Sequence, residues 1–133
     1  MSVIQPKRVL VVEDNPEVLA VLREVLARNG YEVEEARHGA AALVALTRPA
    51  ASLPDVVILD IGLPVQSGVS ILDFVRNVRR SDVPVVVLTG SATHEQEAEL
   101  QHLGISEYLR KPASSQAVLA AVARALGSDP QAD

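Results

Sequence analysis

The sequence predicts an α/β domain in which a parallel sheet carries helices on both faces. Along its 133 residues, short runs rich in Val, Ile and Leu alternate with segments whose apolar residues recur at helical spacing. The strongest of these runs are continuous rather than alternating, which is typical of strands buried on both faces. Strict alternation of strands and helices favours parallel pairing through right-handed crossovers, and few topologies satisfy that rule.

Five segments of the chain are predicted to be strands. Three are the continuous apolar runs Arg8–Val12, Val56–Leu59 and Val83–Leu88. Two weaker candidates are Tyr31–Ala36 and Glu107–Arg110. Because neighbouring residues of Tyr31–Ala36 alternate in character, we expect that strand at an edge of the sheet.

Five helices are predicted to fill the intervals and to follow the last strand. The first begins at Pro16, where a missing N–H costs nothing, after a capping Asn15, and it ends at Asn29-Gly30. Its inward stripe is expected to be Val18, Leu22, Val25 and Leu26. The other helices are predicted at Gly39–Thr47, after a cap at Ser67, at Thr93–Leu103 and at Ser114–Leu126. The third helix is expected to turn inward Val69, Leu72 and either Val75 or Val78.

Composition limits the class of protein. The chain has 12 Lys and Arg against 17 Asp and Glu, a net charge of −5, no cysteine and only three aromatic residues. A chain of this length buries about two-thirds of its unfolded surface, so its core needs neither disulfide nor metal. The acidic balance argues against direct nucleic-acid binding, and the apolar runs are too short for a membrane span. We therefore expect one soluble, cytoplasmic domain.

Polar residues follow four of the five predicted strands, at the point where each strand ends. They are Glu13 and Asp14, then Asp60, then Thr89, which Gly90 follows, and finally Lys111, which Pro112 follows. Ligands bind beyond the carboxyl ends of the strands in an open α/β sheet, so we expect these groups at one edge. Carboxylate oxygens without His or Cys favour Mg²⁺ over a transition metal. A carboxylate beside Mg²⁺ can attack phosphorus, while the ammonium and hydroxyl groups hold phosphoryl charge.

Four blocks of sequence together resemble a known family. They are Glu13-Asp14-Asn15-Pro16, Asp60-Ile61-Gly62-Leu63-Pro64 with Ser67-Gly68, Thr89-Gly90, and Tyr108-Leu109-Arg110-Lys111-Pro112. In order and spacing they resemble the receiver domain of two-component response regulators, the CheY-like superfamily. The resemblance implies a receiver domain at residues 7–126, with short flexible tails at 1–6 and 127–133. It also implies a flavodoxin-like (βα)5 three-layer sandwich whose five-stranded parallel sheet has the order 2-1-3-4-5.

The resemblance assigns a phosphoacceptor and its metal ligands. Asp60 is expected to take a phosphoryl group from the phosphohistidine of a sensor histidine kinase or a histidine phosphotransferase. Mg²⁺ is expected to bind Asp14 and Asp60, with Glu13 acting largely through water and the backbone carbonyl of Gly62 completing the protein ligands. Backbone groups of Gly62 and Gly90 are expected to contact the phosphoryl group.

The resemblance also assigns the residues that respond to phosphorylation. Thr89 is expected to bond a phosphoryl oxygen and to move toward it, and Lys111 to form an ion pair with the phosphoryl group. The bond between Lys111 and Pro112 is expected to be cis. Tyr108 stands at the family's aromatic switch position, and its ring is expected to turn inward when Thr89 moves.

Two positions next to the expected phosphoacceptor site depart from common family patterns. Gly62, two residues after Asp60, is often a larger residue in relatives, so the phosphoryl group is expected to be less shielded. Ser91, two residues after Thr89, is small and polar. In the family these two positions tune the lifetime of the phosphoryl group.

The fourth helix, fifth strand and fifth helix are expected to form the face that changes partner binding. From Ala113 to Leu126 the only charged residue is Arg124. One apolar stripe of the fifth helix is Val118, Val122 and Ala125, and its neighbour is Leu119, Ala123 and Leu126. One stripe can pack on the sheet, which leaves the other for a downstream protein or a homodimer. The alternative is that alanine is present simply as a good helix former.

Two other functions compete with the phosphoacceptor. A pseudo-receiver would bind partners without phosphorylation, although the full set of site residues counts against it. A phosphohydrolase similar to haloacid dehalogenases would need a second Asp where this chain has Gly62, so leaving-group protonation has no candidate. We therefore expect no turnover enzyme, only catalysis of the chain's own phosphorylation and dephosphorylation. Taken alone, Glu13-Asp14 also suits a helix N-terminus, and Tyr108 also suits packing in an edge strand.

Overall fold

The computed structural model describes residues 5–63 and 67–127, which form five strands and five α-helices in alternation. The strands are β1 Arg8–Val12, β2 Glu32–Ala36, β3 Val56–Leu59, β4 Val85–Thr89 and β5 Glu107–Arg110. The helices are α1 Pro16–Arg28, α2 Gly39–Leu46, α3 Gly68–Asp73, α4 His94–Leu103 and α5 Ser115–Ala125. Most of the two predicted tails, namely residues 1–4 and 128–133, and Pro64 of the second sequence block lie outside the described residues.

All five strands pair in parallel in the order β2-β1-β3-β4-β5, which confirms the predicted sheet. In register, Val9 of β1 lies between Val33 of β2 and Val56 of β3. Toward the opposite edge of the sheet, Val87 of β4 pairs in register with Tyr108 of β5. Chain order reverses between β1 and β3, and ligands of such sheets bind at the carboxyl ends beside this switch point.

Each face of the sheet carries its own apolar core, because successive side chains of a strand point to opposite faces. On one face, strand residues such as Leu10, Leu59 and Val87 pack with α2, α3 and α4 through Leu46, Leu72 and Leu100. On the other face, Val11, Ile58 and Val86 pack with α1 and α5 through Leu22, Leu26 and Val122. The fold is therefore a three-layer sandwich with α1 and α5 on one side.

The inward stripe of α1 is rotated slightly from the predicted one. Leu22 and Leu26 are buried as expected, but the third buried residue is Leu19, which the prediction omitted. Val18 and Val25 are only half-buried, at the edges of the stripe. Spacings of three and four residues join Leu19, Leu22 and Leu26, so these three side chains share one face of the helix.

A single π-helical turn at Phe74–Val78 continues α3 and decides which predicted side chains face inward. Leu72 and Val75 are buried, whereas Val78 is 65% exposed and Val69 is half-buried. The wider π turn changes the angular spacing of side chains from the usual 3.6 residues per turn. Helical periodicity in the sequence does not anticipate such a turn.

Two strands begin later than predicted. β4 begins at Val85 rather than Val83, and it extends to include Thr89. Pro84 has no N–H to donate to the sheet, although its carbonyl oxygen accepts a hydrogen bond of 2.9 Å from the Val57 amide. β2 begins at Glu32, one residue after the predicted start.

Side-chain caps begin the helices that border the carboxyl edge of the sheet. The Asn15 side chain accepts hydrogen bonds from the Glu17 and Val18 amides at 2.9 and 3.2 Å, directly after the two acids that end β1. Thr93 and Gln96 form a reciprocal capping box at the start of α4. These caps fix where each helix begins after the strand before it.

Among the described helices, none is long and apolar enough to cross a membrane.

Gly68 begins α3 where the helix crosses the backbone that follows β3. A Cβ atom at Gly68 would lie 2.6 Å from the carbonyl oxygen of Asp60 and 2.8 Å from the Cα atom of Ile61. Both of these atoms belong to the main chain, so neither can move aside cheaply. The position therefore requires glycine for close packing of α3 against the end of β3.

We expect Gly68→Ala to lower the free energy of unfolding by about 2–3 kcal/mol, because overpacking against backbone forces the chain to shift. Urea denaturation followed by circular dichroism measures this loss. Gly90→Ala is the matched control, since its Cβ would meet only the Lys111 Cβ, at an ordinary 3.6 Å. The control should change the free energy of unfolding by less than about 1 kcal/mol. Equal losses in the two variants would contradict the close approach.

Candidate functional site

Hydrogen bonds between neighbouring strand ends assemble the predicted site at the carboxyl edge of the sheet. The Asp60 amide donates to the carbonyl oxygen of Val12 at 3.0 Å, which ties the end of β3 to β1. The Lys111 amide donates to the carbonyl oxygen of Thr89 at 3.1 Å, which ties the end of β5 to β4. The structure therefore brings the polar residues that follow these strands to one place.

Lys111 lies between two buried carboxylates. Its Nζ atom is 2.6 Å from Oε1 of Glu13 and 3.2 Å from Oδ2 of Asp60. Glu13 is 2% exposed and Asp60 is 6% exposed, so water screens neither of them well. The remaining oxygens also have donors: Oδ1 of Asp60 accepts from the Gly62 amide at 3.0 Å, and Oε2 of Glu13 accepts from the Asn15 amide at 3.2 Å.

Ionisation at the site follows from this pairing. Burial by itself would lower the pKa of Lys111, but the hydrogen bond to Glu13 and the charges of Asp60 and Glu13 together raise that pKa above its ordinary value. Burial raises the pKa of Glu13, while the hydrogen bonds from Lys111 and Asn15 act in the opposite direction. Lys111 is therefore held as a cation, and part of the desolvation cost at Glu13 remains uncompensated.

Three carboxylates form a cluster that could hold a divalent cation. Glu13, Asp14 and Asp60 each place one carboxylate oxygen within 4.8 Å of the other two. Asp14 is exposed whereas the other two are buried, so the cluster opens to solvent on the side of Asp14. A donor set of hard oxygens fits Mg²⁺. The acidic residues expected to hold the metal are therefore assembled.

Thr89 ends β4, next to the strand that Asp60 follows, and the small residues Gly62 and Gly90 lie at the same edge of the sheet. The Thr89 side chain is buried, and its Oγ1 accepts a hydrogen bond from the Ser91 amide at 3.4 Å, near the limit for such a bond. Gly62 and Gly90 are both exposed, and neither carries a side chain that could cover this approach to the site. A Cβ at Gly62 would lie 2.8 Å from Oγ of Ser91. The Ser91 hydroxyl thus occupies the space beside Gly62, a contact that the sequence did not reveal.

Tyr108 is held by α4 rather than by the acid cluster. Its hydroxyl donates to Oε1 of Glu97 at 3.0 Å, and the Arg110 guanidinium lies 5.9 Å from the centre of its ring. Burial, together with the hydrogen bond to Glu97 and the charge of that residue, raises the pKa of the phenol. The sequence did not single out Glu97, because the pattern of residues along the chain does not show which side chain of α4 meets β5.

The Lys111–Pro112 peptide bond, which follows β5, is cis.

The family model described as the response regulator receiver domain matches residues 9–123 of the chain. This chain belongs to the response regulator receiver domain family. The match begins at the second residue of β1, includes the other four strands and ends within α5. Membership confirms the resemblance that the four sequence blocks indicated.

Individual relatives agree with this assignment. The chain is 40% identical over 105 residues to the transcriptional regulatory protein PrrA of Mycobacterium tuberculosis, covering 79% of this chain and 43% of that protein. It is 39% identical over 104 residues to the transcriptional regulatory protein KdpE of the same organism, covering 78% of this chain and 44% of that one. The receiver domain thus spans less than half the length of these two relatives.

A solved structure agrees with the architecture. The chain matches a CheY-like receiver domain protein from Methanospirillum hungatei with a TM-score of 0.85 and 25% sequence identity. The match covers 92% of this chain and 95% of that protein. The flavodoxin-like fold of the receiver, with its strand order, is therefore shared.

We expect Lys111→Met to destabilise the metal-free protein, because it leaves the buried carboxylates of Glu13 and Asp60 without their cation. The free energy of unfolding at neutral pH should fall by about 2–4 kcal/mol, measured with urea. Lys7→Met is the control: it removes the same charge from an exposed position, so it should change stability by less than about 0.5 kcal/mol.

The pH dependence of this loss tests the same pairing. Since the pKa of Lys111 is raised on folding, its stabilising contribution is fully present below about pH 10.5 and declines as pH rises through the folded-state pKa. The difference in stability between the wild type and Lys111→Met should therefore shrink above that pH. A difference that stays constant or grows would contradict the pairing.

Proposed function

We propose that this receiver domain is a phosphoacceptor in a two-component phosphorelay. In this proposal Asp60 accepts a phosphoryl group from the phosphohistidine of a sensor histidine kinase or a histidine phosphotransferase. The observation that carries the proposal is the arrangement around Asp60, where one buried carboxylate meets Lys111 and two further acids at the carboxyl edge of the sheet. Membership of the receiver family supports it.

Asp60 supplies the nucleophile for the transfer. A carboxylate oxygen of Asp60 forms a bond to phosphorus, and the bond from phosphorus to the donor's imidazole nitrogen breaks, leaving its electron pair on that nitrogen. The Gly62 amide already donates to Oδ1, so the carboxylate is oriented before the donor arrives. The small residues Gly62 and Gly90 leave an approach open to the incoming phosphoryl group.

Acidic residues of the site would hold Mg²⁺. Asp14 and Asp60 would bind the metal, Glu13 would act largely through water, and the backbone carbonyl of Gly62 would complete the set. Bound Mg²⁺ offsets negative charge on phosphoryl oxygens. The exposed position of Asp14 supports access of the ion from solvent. The clustering of three carboxylate oxygens supports these acids as the ligands of the ion.

Lys111 and Thr89 would bind the transferred group. Lys111 is held in the cationic form beside Asp60, so its ammonium can form an ion pair with a phosphoryl oxygen without first gaining a proton. Within residues 5–63 and 67–127, the hydrogen bond of the Thr89 hydroxyl is a long one from the Ser91 amide, so little there opposes its rotation toward the phosphoryl group. Backbone groups of Gly62 and Gly90 would add further contacts.

The face formed by α4, β5 and α5 would pass the change to a partner. In α5, Val118 and Val122 pack on the sheet, whereas Leu119, Ala123 and Leu126 remain partly exposed. This partly exposed stripe supports binding of a downstream protein or of a second copy of the chain. The absence of direct contact with nucleic acid stays a prediction from the acidic composition.

Asp60→Asn should abolish uptake of label from radioactive acetyl phosphate in the presence of Mg²⁺, because the amide lacks the nucleophilic carboxylate. Wild type should become labelled, and chelation of Mg²⁺ should suppress the labelling. Asp73→Asn is the control, since Asp73 is an exposed acid of α3. Undiminished labelling of Asp60→Asn would refute the proposal that Asp60 is the phosphoacceptor.

Absence of labelling and of fluoroberyllate binding in the wild type would favour the pseudo-receiver. Steady hydrolysis of a generic phosphate ester would favour the phosphohydrolase.

Mg²⁺ should stabilise the wild-type fold, because a cation that binds the folded acid cluster shifts the unfolding equilibrium. At ten times its Kd, the ion should add about 1.4 kcal/mol to the free energy of unfolding. Asp14→Asn should be more stable than the wild type in metal-free buffer, since it removes one of three neighbouring charges, and it should gain less from Mg²⁺. Sodium chloride at equal ionic strength controls for screening. Lower stability of Asp14→Asn without metal would count against crowding of the acids.

A further inference from the structure

Glu97, a residue of α4 that has no role in the proposed phosphoryl transfer, holds the Tyr108 side chain in place. Its Oε1 atom accepts a hydrogen bond from the Tyr108 hydroxyl at 3.0 Å and one from the Arg110 guanidinium at 3.3 Å. The same guanidinium lies 5.9 Å from the centre of the Tyr108 ring. One carboxylate oxygen therefore fastens the polar end of the ring, while Arg110 lies over its face.

The bond from Tyr108 is the stronger of the two contacts to Glu97. A hydrogen bond to an ionised carboxylate is about twice as strong as one between neutral groups. Arg110 is 75% exposed, so solvent screens its ion pair with Glu97 and the pair contributes little. Burial first, and then the hydrogen bond to Glu97 and the charge of that residue, raise the pKa of the phenol. Glu97 is thus the main restraint on the hydroxyl end of Tyr108.

Tyr108 lies on the same face of the sheet as Thr89. In the register of β4 and β5, Val87 stands opposite Tyr108 and Thr89 stands opposite Arg110. Alternate residues of a strand share a face, so Val87, Thr89, Tyr108 and Arg110 all project toward the side that carries α4. A rearrangement of the Thr89 side chain therefore takes place next to the ring that Glu97 restrains.

We propose that Glu97, Tyr108 and Arg110 form a clasp that holds the ring against α4 and has to open before Tyr108 can turn toward Thr89. Glu97 is a positioning residue: it sets how readily occupation of Asp60 alters the surface between α4 and β5. The inference rests on the proposed function, because the event that opens the clasp is phosphorylation of Asp60.

Opening of the clasp would reshape a surface that a partner can contact. A hollow of about 350 Å³ lies between α4 and β5, and all three clasp residues line it. The other lining residues are His94, Ala98 and Gln101. Departure of the ring enlarges this hollow. It also removes the hydrogen bond between Tyr108 and Glu97 and the contact of the ring with the Arg110 guanidinium. The charge and the shape of the surface therefore change together.

Fluorine NMR of the full chain tests the clasp. Fluorotyrosine is incorporated in a Tyr31→Phe background, so that Tyr108 is the only reporter, and fluoroberyllate with Mg²⁺ serves as the phosphoryl mimic. Glu97→Ala should shift the resonance of the unliganded protein and lower the half-saturating fluoroberyllate concentration by roughly three- to tenfold, because the restraint no longer opposes the switch. Arg110→Ala should lower it less.

Glu99→Ala is the matched control, because Glu99 is an exposed acid of the same helix and its replacement changes charge and helix propensity equally. It should leave both measurements within about twofold of the wild type. An unchanged unliganded resonance in Glu97→Ala overturns the clasp, and so does a shifted resonance with an unchanged fluoroberyllate midpoint. Failure of the wild type to bind fluoroberyllate overturns the proposed function instead, and the clasp's regulatory role falls with it.

Discussion

The cation of Lys111 is the group on which the carboxyl edge of the sheet depends. Glu13 and Asp60 end adjacent strands and are almost completely buried, so their charges repel each other with little screening from water. Lys111, which follows β5, reaches past β4 to contact both of them at 2.6 and 3.2 Å. The ion pairs offset part of the desolvation cost of the acids, and they join strand ends that do not pair directly. The site and the top of the sheet are stabilised by the same contacts.

The same arrangement makes the resting site responsive to an incoming charge. In the proposed function, a metal ion beside Asp14 would compete with Lys111 for the carboxylates, and a phosphoryl group on Asp60 would compete with Glu13 for the ammonium. With both bound, the metal would offset the charge of the carboxylate that the ammonium leaves, and this avoids an unpaired buried charge that would cost about 3–5 kcal/mol. In that proposal stability and phosphoryl transfer would use one group, and a change at Asp60 would redistribute the contacts of Lys111.

The sheet and most of the site were predictable from the sequence because both follow from rules that act along single strands. Continuous apolar runs indicate strands buried on both faces, and the carboxyl-end rule then places Glu13, Asp60 and Lys111 together. The contacts that the sequence did not reveal depend on how one element sits against another. The Ser91 hydroxyl beside Gly62 and the Glu97 bond to Tyr108 are of this kind. The π turn that exposes Val78 is local, yet no periodic pattern of apolar residues encodes it.

The two ends of α4 are attached to the rest of the domain by different kinds of contact. Near its C-terminal end Leu100 is fully buried, and the guanidinium of Arg76 donates two hydrogen bonds to the carbonyl oxygen of Gly104, at 2.9 and 3.2 Å. In its N-terminal half Glu97 makes polar contacts with Tyr108 and Arg110, on a surface open to solvent. Burial of Leu100 and the side-chain hydrogen bonds of Arg76 hold the C-terminal end of α4, and none of these contacts involves the acid cluster. The N-terminal half is held through Tyr108, which shares a face of the sheet with Thr89, so it is the part of α4 that the proposed phosphorylation of Asp60 would reach.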